Sequence, residues 1–162
     1  MLEWTEAVMA DGLSLRLATA ASGLRSVRFG RPDAADGERN DGNALLVEVA
    51  RQLRAYFAGE LREFRVPLDP AGTEFQKRVW SELLKIPYGE TRSYGQIAAA
   101  IGSPGSVRAV GAANGANPIA IIVPCHRVIG SSGSLVGYGG GLDLKKRLLG
   151  LEAKSSSPGL FD

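Results

Sequence analysis

Pro124-Cys125-His126-Arg127-Val128 sets the only cysteine of this 162-residue chain beside its only histidine. A thiol attacks as its thiolate, and a neighbouring imidazole is one of the few groups that can draw off that proton near neutral pH. The pair is therefore the minimum set for a nucleophile with its base. The same counts exclude other chemistry. One cysteine closes no internal disulfide, and one cysteine with one histidine cannot supply the three or four ligands of an ordinary Cys/His zinc site. In an apolar setting a cysteine is also compatible with an inert core residue, so the surrounding chain has to decide.

The elements that would position this pair are legible on both sides of it. Ile119-Ala120-Ile121-Ile122-Val123 is continuously apolar and largely β-branched, which predicts a buried strand or extended segment holding Cys125 on a rigid support. Thr73-Glu74-Phe75-Gln76 is a capping box opening a helix with Phe75, Val79, Leu83 and Leu84 on its apolar face, ended by Ile86-Pro87-Tyr88-Gly89. Ser93-Tyr94-Gly95-Gln96 is a second box, opening a short helix with Ile97, Ala100 and Ile101 on one side and Gly102 past its end. After the turn Ser103-Pro104-Gly105, Ser106 is placed to cap a helix from Val107 to about Asn114, with Val107 and Val110 inward. Helix, short turn and helix in a basic segment is the outline of a helix-turn-helix. On its second helix Arg108 and Ala112 lie one turn apart, with Gly111 and Gly115 nearby. Each glycine costs a helix about 1 kcal/mol relative to alanine, so this flat face suits either tight packing within the domain or close approach of another surface.

Gly130 to Gly141 is a Gly/Ser-rich loop carrying Tyr138, and Leu144, Leu148 and Leu151 predict a final helix with Lys145, Lys146 and Arg147 exposed. At the other end, alternating Leu13, Leu15 and Leu17, the Ser22-Gly23 turn and Leu24 to Phe29 predict a hairpin. Residues 30–43 read as a mobile loop, and Leu46, Val49, Leu53, Tyr56 and Phe57 as a helix ended by Gly59. Pro67, Pro70 and Gly72 mark a boundary, so the expected domains are 1–71 and 72–154, with a tail at 155–162.

Net charge is only +2, but residues 1–71 carry 9 Lys/Arg against 11 Asp/Glu while residues 72–154 carry 10 against 5. A basic second half invites a polyanion, without by itself naming one. The N-terminus has no basic region before an apolar core, and no apolar run approaches the roughly 18 residues of a membrane span. A reducing cytoplasm and no membrane partner are the expectation.

Asn117-Pro118, the run Ile121 to Ile129, Gly137-Tyr138 with Gly140-Gly141, then Lys145, Leu148-Leu149 and Glu152, together resemble the O6-alkylguanine-DNA alkyltransferases. These are single-turnover repair proteins that move an alkyl group from damaged DNA onto their own cysteine. The similarity runs over residues 72–152 and is weaker before them. It implies an α/β (α+β) fold: a small N-terminal antiparallel sheet plus helix, ribonuclease H-like, and a helical, winged-helix-like C-terminal domain carrying the helix-turn-helix.

The resemblance also implies a Cys-His-Glu relay, in which Cys125 attacks, His126 takes its proton through a bound water and Glu152 fixes the imidazole. A carboxylate on one ring nitrogen selects the tautomer that leaves the other free to accept. By the same resemblance Asn117 braces the turn carrying the cysteine, and Tyr94 hydrogen-bonds the damaged guanine and crowds the phosphate behind it. Arg108 enters the base stack where the flipped guanine was. Ser93, Gly111, Ala112 and Gly115 join Tyr94 and Arg108 on a minor-groove DNA face; Tyr94, Val128, Tyr138, Gly139 and Gly140 line the substrate pocket. The implied partner is double-stranded DNA containing O6-alkylguanine, with O4-alkylthymine a further candidate, bound by a monomer without metal or cofactor.

A thiol of ordinary pKa, about 8.5, is roughly a tenth ionised near pH 7.5, so complete ionisation gains only about tenfold, or 1.4 kcal/mol. The remaining acceleration is expected from in-line positioning and from protonating the departing guanine. Four departures from the family pattern stand out. The N-terminal zinc ligands of some relatives are absent. Arg147 and Gly115 stand where relatives often carry Trp and some carry Arg. Gly139 replaces Ser or Ala, which implies a roomier alkyl pocket. Two rival readings are a non-catalytic sensor of alkylated DNA, against which Cys125 itself argues, and a Cys-His hydrolase, whose nucleophile and base usually come from distant segments.

Overall fold

The computed structural model describes residues 2–30, 37–133, 137–138 and 140–156. Two compact units emerge: Met1–Ala71 with Pro118–Ala120, and Gly72–Asn117 with Ile121–Asp162.

In the first unit, β1 (Glu3–Val8) pairs antiparallel with β2 (Ser14–Ala20), which pairs antiparallel with β3 (Gly23–Phe29). A two-residue β4 (Glu38–Arg39) lies parallel to β1, giving the order β3-β2-β1-β4. The predicted hairpin is present as β2 and β3, but the sequence reading missed β1. Its buried positions are Thr5 and Ala7, too small or polar to make a strong hydrophobic alternation. The segment read as a mobile loop contributes β4 and the cap of the next helix; residues 31–36 lie outside the described residues. Helix α1 (Ala44–Phe57) starts where the Asn43 side chain accepts from the Leu46 amide and buries Leu46, Val49, Leu53 and Tyr56, as their spacing predicts. Gly59, at φ +77°, follows its end.

The apolar run before the cysteine is not a strand. Ile119 makes one parallel bridge to Val27, bracketed by Val27 N–H donating to Pro118 O at 2.9 Å and Ala120 N–H to Val27 O at 3.1 Å. The chain then turns, with Ile121 at φ +72°, the only described non-glycine residue with positive φ. A β-branched residue there costs on the order of 1–3 kcal/mol, so the turn is held by its surroundings rather than by local preference. One brace is visible: the Asn117 side-chain amide donates to Val123 O at 2.9 Å and closes the turn.

In the second unit both capping boxes form, at Thr73 before α2 (Glu74–Leu83) and at Ser93 before α3 (Tyr94–Ala100). Helix α4 is Val107–Gly115, and Trp80 of α2 donates its indole N–H to Ala113 O of α4 at 2.8 Å. The buried faces are rotated from those expected. Helix α2 buries Trp80 with Val79 and Leu83 and leaves Leu84 49% exposed; α3 buries Ala98 with Ile97 and exposes Ala100. Val107, expected inward, is 42% exposed, while Val110 is buried. Ser106 makes no side-chain cap; its hydroxyl bonds that of Ser103 at 2.6 Å. The last helix, α5 (Leu142–Ser156), continues two residues into the predicted tail, and residues 157–162 lie outside the described residues.

Ser93 Oγ accepts from the Gln96 amide at 3.1 Å, satisfying a free donor of the first turn of α3. Ser93→Ala is expected to lower stability by about 1 kcal/mol, read as a lower urea midpoint at unchanged slope.

Candidate active site

Three segments of the second unit build the site. A single 3₁₀ turn, Cys125–Arg127, follows Pro124 and leads into β6 (Val128–Ile129). Strand β6 pairs parallel with β5 (Arg92–Ser93), Arg92 opposite Val128 and Ser93 opposite Ile129. Because Tyr94 follows β5 directly, this pairing sets the start of α3 alongside the cysteine turn. Helix α5 supplies the third side, with Lys145, Leu148 and Glu152 buried along one face.

The Cys125 thiol is buried, and burial pushes its pKa up against the opposing pull of the Asn117 amide and the Lys145 ammonium. It rests as a thiol. His126 is fully buried, with Nε2 2.7 Å from Glu152 Oε2. Among the described residues its Nδ1 has no hydrogen-bond partner. Burial lowers the imidazole pKa; Glu152 pulls the other way, and Arg127 and Lys145 add to the lowering. The ring therefore rests neutral, its Nε2–H donating to the carboxylate and its Nδ1 lone pair uncommitted. Burial works against ionisation of Glu152, yet the hydrogen bonds from His126 and Arg127 outweigh it and hold the carboxyl at about 2.

Two charges in this site escaped the sequence reading. Arg127 is buried, with Nε 2.8 Å from Glu152 Oε1 and an NH2 nitrogen 3.0 Å from Oε2. Lys145, expected on the exposed side of its helix, is fully buried, and its Nζ donates to Val128 O at 2.7 Å. A usable signal existed: Lys145, Leu148 and Glu152 stand at i, i+3 and i+7, one helical face shared by two charges and a leucine. Asn114 was also missed. Its buried Nδ2 donates to Cys125 O at 3.4 Å, and its side chain works against the rise in the Tyr94 pKa.

Tyr94 is half-buried at the start of α3, its pKa raised by burial and by the nearby thiol. Val128 is fully buried; Tyr138 and Gly140 are half-buried, and burial, with Cys125 and Glu152 close by, pushes the Tyr138 phenol up. Gly139 lies outside the described residues. Arg108, Ala112 and Gly115 are exposed on α4, and Gly111 is half-buried. Among the described residues a side-chain carbon at Gly115 would meet nothing within 4 Å, and one at Gly111 only the edge of Tyr94 at 4.0 Å. Packing among the described residues therefore does not require these two glycines.

Residues 74–154 match the family described as 6-O-methylguanine DNA methyltransferase, DNA binding domain, and residues 14–70 match the ribonuclease-like domain of the same proteins. The chain belongs to the O6-alkylguanine-DNA alkyltransferase family. Its similarity to this family extends to a Mycobacterium leprae methylated-DNA–protein-cysteine methyltransferase, 64% identical over 122 residues covering 74% of each chain. A crystal structure of Mycobacterium tuberculosis O6-methylguanine methyltransferase superposes at TM-score 0.88 with 50% identity over 100% of both chains. A Mycobacterium tuberculosis relative solved in complex with DNA gives TM-score 0.84 and 52% identity over 99% of both. The mixed α/β (α+β) class, a small sheet-and-helix unit and a helical unit, holds for this alkyltransferase chain.

Proposed function

We propose that this chain reverses O6-alkylguanine in duplex DNA by in-line transfer of the alkyl group to Cys125 Sγ. Alkyl-transfer DNA repair is the work of the family to which it belongs. The observation that carries the assignment to Cys125 is the buried Glu152–His126 bond, with Nδ1 unpartnered among the described residues and the only thiol one residue away.

In this reading the thiol proton passes to His126 Nδ1 through a water as sulfur attacks the alkyl carbon. The S–C bond forms, the C–O6 bond breaks, and the departing guanine takes up a proton, with the Tyr94 hydroxyl as hydrogen-bond donor. The buried, neutral thiol and neutral imidazole fit a proton transfer coupled to attack rather than a standing ion pair. The product is a thioether that no thiol exchange reverses, so each molecule acts once.

The target base has to leave the duplex to reach a buried thiol, at a cost of a few kcal/mol. Arg108, exposed on α4, is placed in this reading to fill the vacated stack, while Ala112, Gly111 and Gly115 let the helix approach a minor groove closely. Asn117 braces the cysteine turn and Ser93 caps the helix presenting Tyr94, and in this reading Val128, Tyr138 and Gly140 line the pocket. We place the chain on DNA as a monomer and in the cytoplasm, where a free thiol stays reduced. The Gly72–Asn117 and Ile121–Asp162 unit carries DNA binding and catalysis, with the first unit as its support.

Intact mass and peptide mapping after incubation with a duplex bearing one O6-methylguanine test the reading. A stoichiometric gain of one methylene on Cys125, absent in Cys125→Ser, is the expected result. Tight binding with no mass change would make the protein a damage sensor instead.

A further inference from the structure

Hydrogen bonds from His126, Arg127 and Gly89 converge on the Glu152 carboxylate. One oxygen takes His126 Nε2 at 2.7 Å and an Arg127 NH2 nitrogen at 3.0 Å; the other takes Arg127 Nε at 2.8 Å and the Gly89 amide at 3.3 Å. Arg127 is itself tied down, its NH1 nitrogen donating to Ile86 O at 2.8 Å and its guanidinium lying 5.7 Å from the centre of the Tyr88 ring. A buried ion pair of this kind is weak evidence for stability, because well-packed apolar side chains often serve a core as well or better. Its place beside the only histidine suggests a different use.

A carboxylate alone beside an imidazole in a buried site favours the imidazolium, by about 1 to 3 pK units for an opposite charge at contact distance. An imidazolium at rest has no lone pair with which to accept a proton from a thiol. Arg127 engages the same two carboxylate oxygens from the other side and cancels that charge. Its fork also leaves the carboxylate no freedom to rotate away from Nε2. The other titratable groups near this cluster are Lys145 on α5, Cys125 on the same turn as His126, Tyr88 beside Arg127 and Tyr138 near Glu152. Lys145 also opposes protonation of His126, so Arg127 and Lys145 together face the single carboxylate that favours it.

We propose that Arg127 is a positioning residue for alkyl transfer, which pins and neutralises Glu152 so that His126 rests as the neutral Nε2–H tautomer with Nδ1 open toward the thiol proton. This rests on the reading of His126 as the base for Cys125.

His126 is the only histidine, so the ring signals of a ¹⁵N-histidine-labelled protein belong to it without assignment. In the wild type Nε2 is expected protonated, Nδ1 bare, and the titration midpoint below the ordinary 6.5. In Arg127→Gln the midpoint rises by about 1 to 3 pH units, and the acid limb of the rate of Cys125 alkylation by free O6-benzylguanine moves up with it. Arg127→Lys keeps the charge and brings the midpoint back toward the wild-type value, but its rate stays below wild type because an ammonium cannot fork across both oxygens. A folded Arg127→Gln protein with the wild-type midpoint, slowed equally at every pH, would reduce Arg127 to a packing role. Should Arg127→Gln fail to fold, the wild-type spectrum still decides: an Nδ1–H tautomer, or a midpoint at or above 6.5, overturns the proposal. If the wild type is not alkylated at Cys125, the proposed function fails on that result alone, separately from the histidine spectrum.

Discussion

Glu152→Gln is expected to remove about 3–5 kcal/mol of stability, because it leaves the buried Arg127 guanidinium without its counter-charge. The same change is expected to slow transfer to Cys125 by about 10² to 10⁴-fold, the range of a positioned general base. An amide can turn its NH₂ toward Nε2, and a donor there forces the imidazole proton onto Nδ1, the nitrogen that has to accept. Urea denaturation and single-turnover alkylation measure the two effects separately.

The pH dependence of this pair has a definite sign. The folded Glu152 carboxyl is held at about 2, below its ordinary value of about 4.3 in an unfolded chain. Its contribution, on the order of 3 kcal/mol, is therefore complete above pH 4.3 and lost as the pH falls from there toward 2. Other carboxylates titrate in the same range, so the informative quantity is the stability gap between wild type and Glu152→Gln. That gap should narrow across this window. A gap independent of pH, or a variant that transfers at the wild-type rate, would remove Glu152 from the relay.

Arg108→Ala is expected to separate two substrates that share one chemistry. Arg108 stands exposed on α4, so its loss disturbs neither the core nor the Cys125–His126–Glu152 cluster. Reaction with free O6-benzylguanine, which needs no flipping, should stay within about twofold of wild type. Repair of a duplex should fall by about 30-fold or more, since unstacking a base costs a few kcal/mol and the side chain that offsets it is gone. The salt dependence of duplex binding should change only slightly, by about one phosphate contact at most. Equal losses on both substrates would refute a role in flipping.

Local sequence was most reliable where the physics is local. The Thr73 and Ser93 boxes formed because a hydroxyl and an amide three residues apart satisfy each other's backbone without help from elsewhere. It was least reliable where a distant partner decides. Ile119 to Val123 has every local reason to be extended, yet Ile121 adopts a positive φ because Asn117 clamps Val123 O and Val27 takes Ile119 as its partner. Periodicity put Val107 inward on the strength of its side chain alone, and the packing of α4 around Val110, Ala113 and Trp80 turned that position outward.

By itself the sequence determined which side chains could do the chemistry, since a chain with one thiol and one imidazole side by side has few other options. It also determined the starts of α2 and α3, through caps that act within a few residues. Only the tertiary structure decided that Arg127 and Lys145 are buried, and with them the charge state of the site. A charged side chain leaves water only when a partner compensates the lost hydration. Those partners, Glu152 for Arg127 and the Val128 carbonyl for Lys145, lie 25 and 17 residues away along the chain.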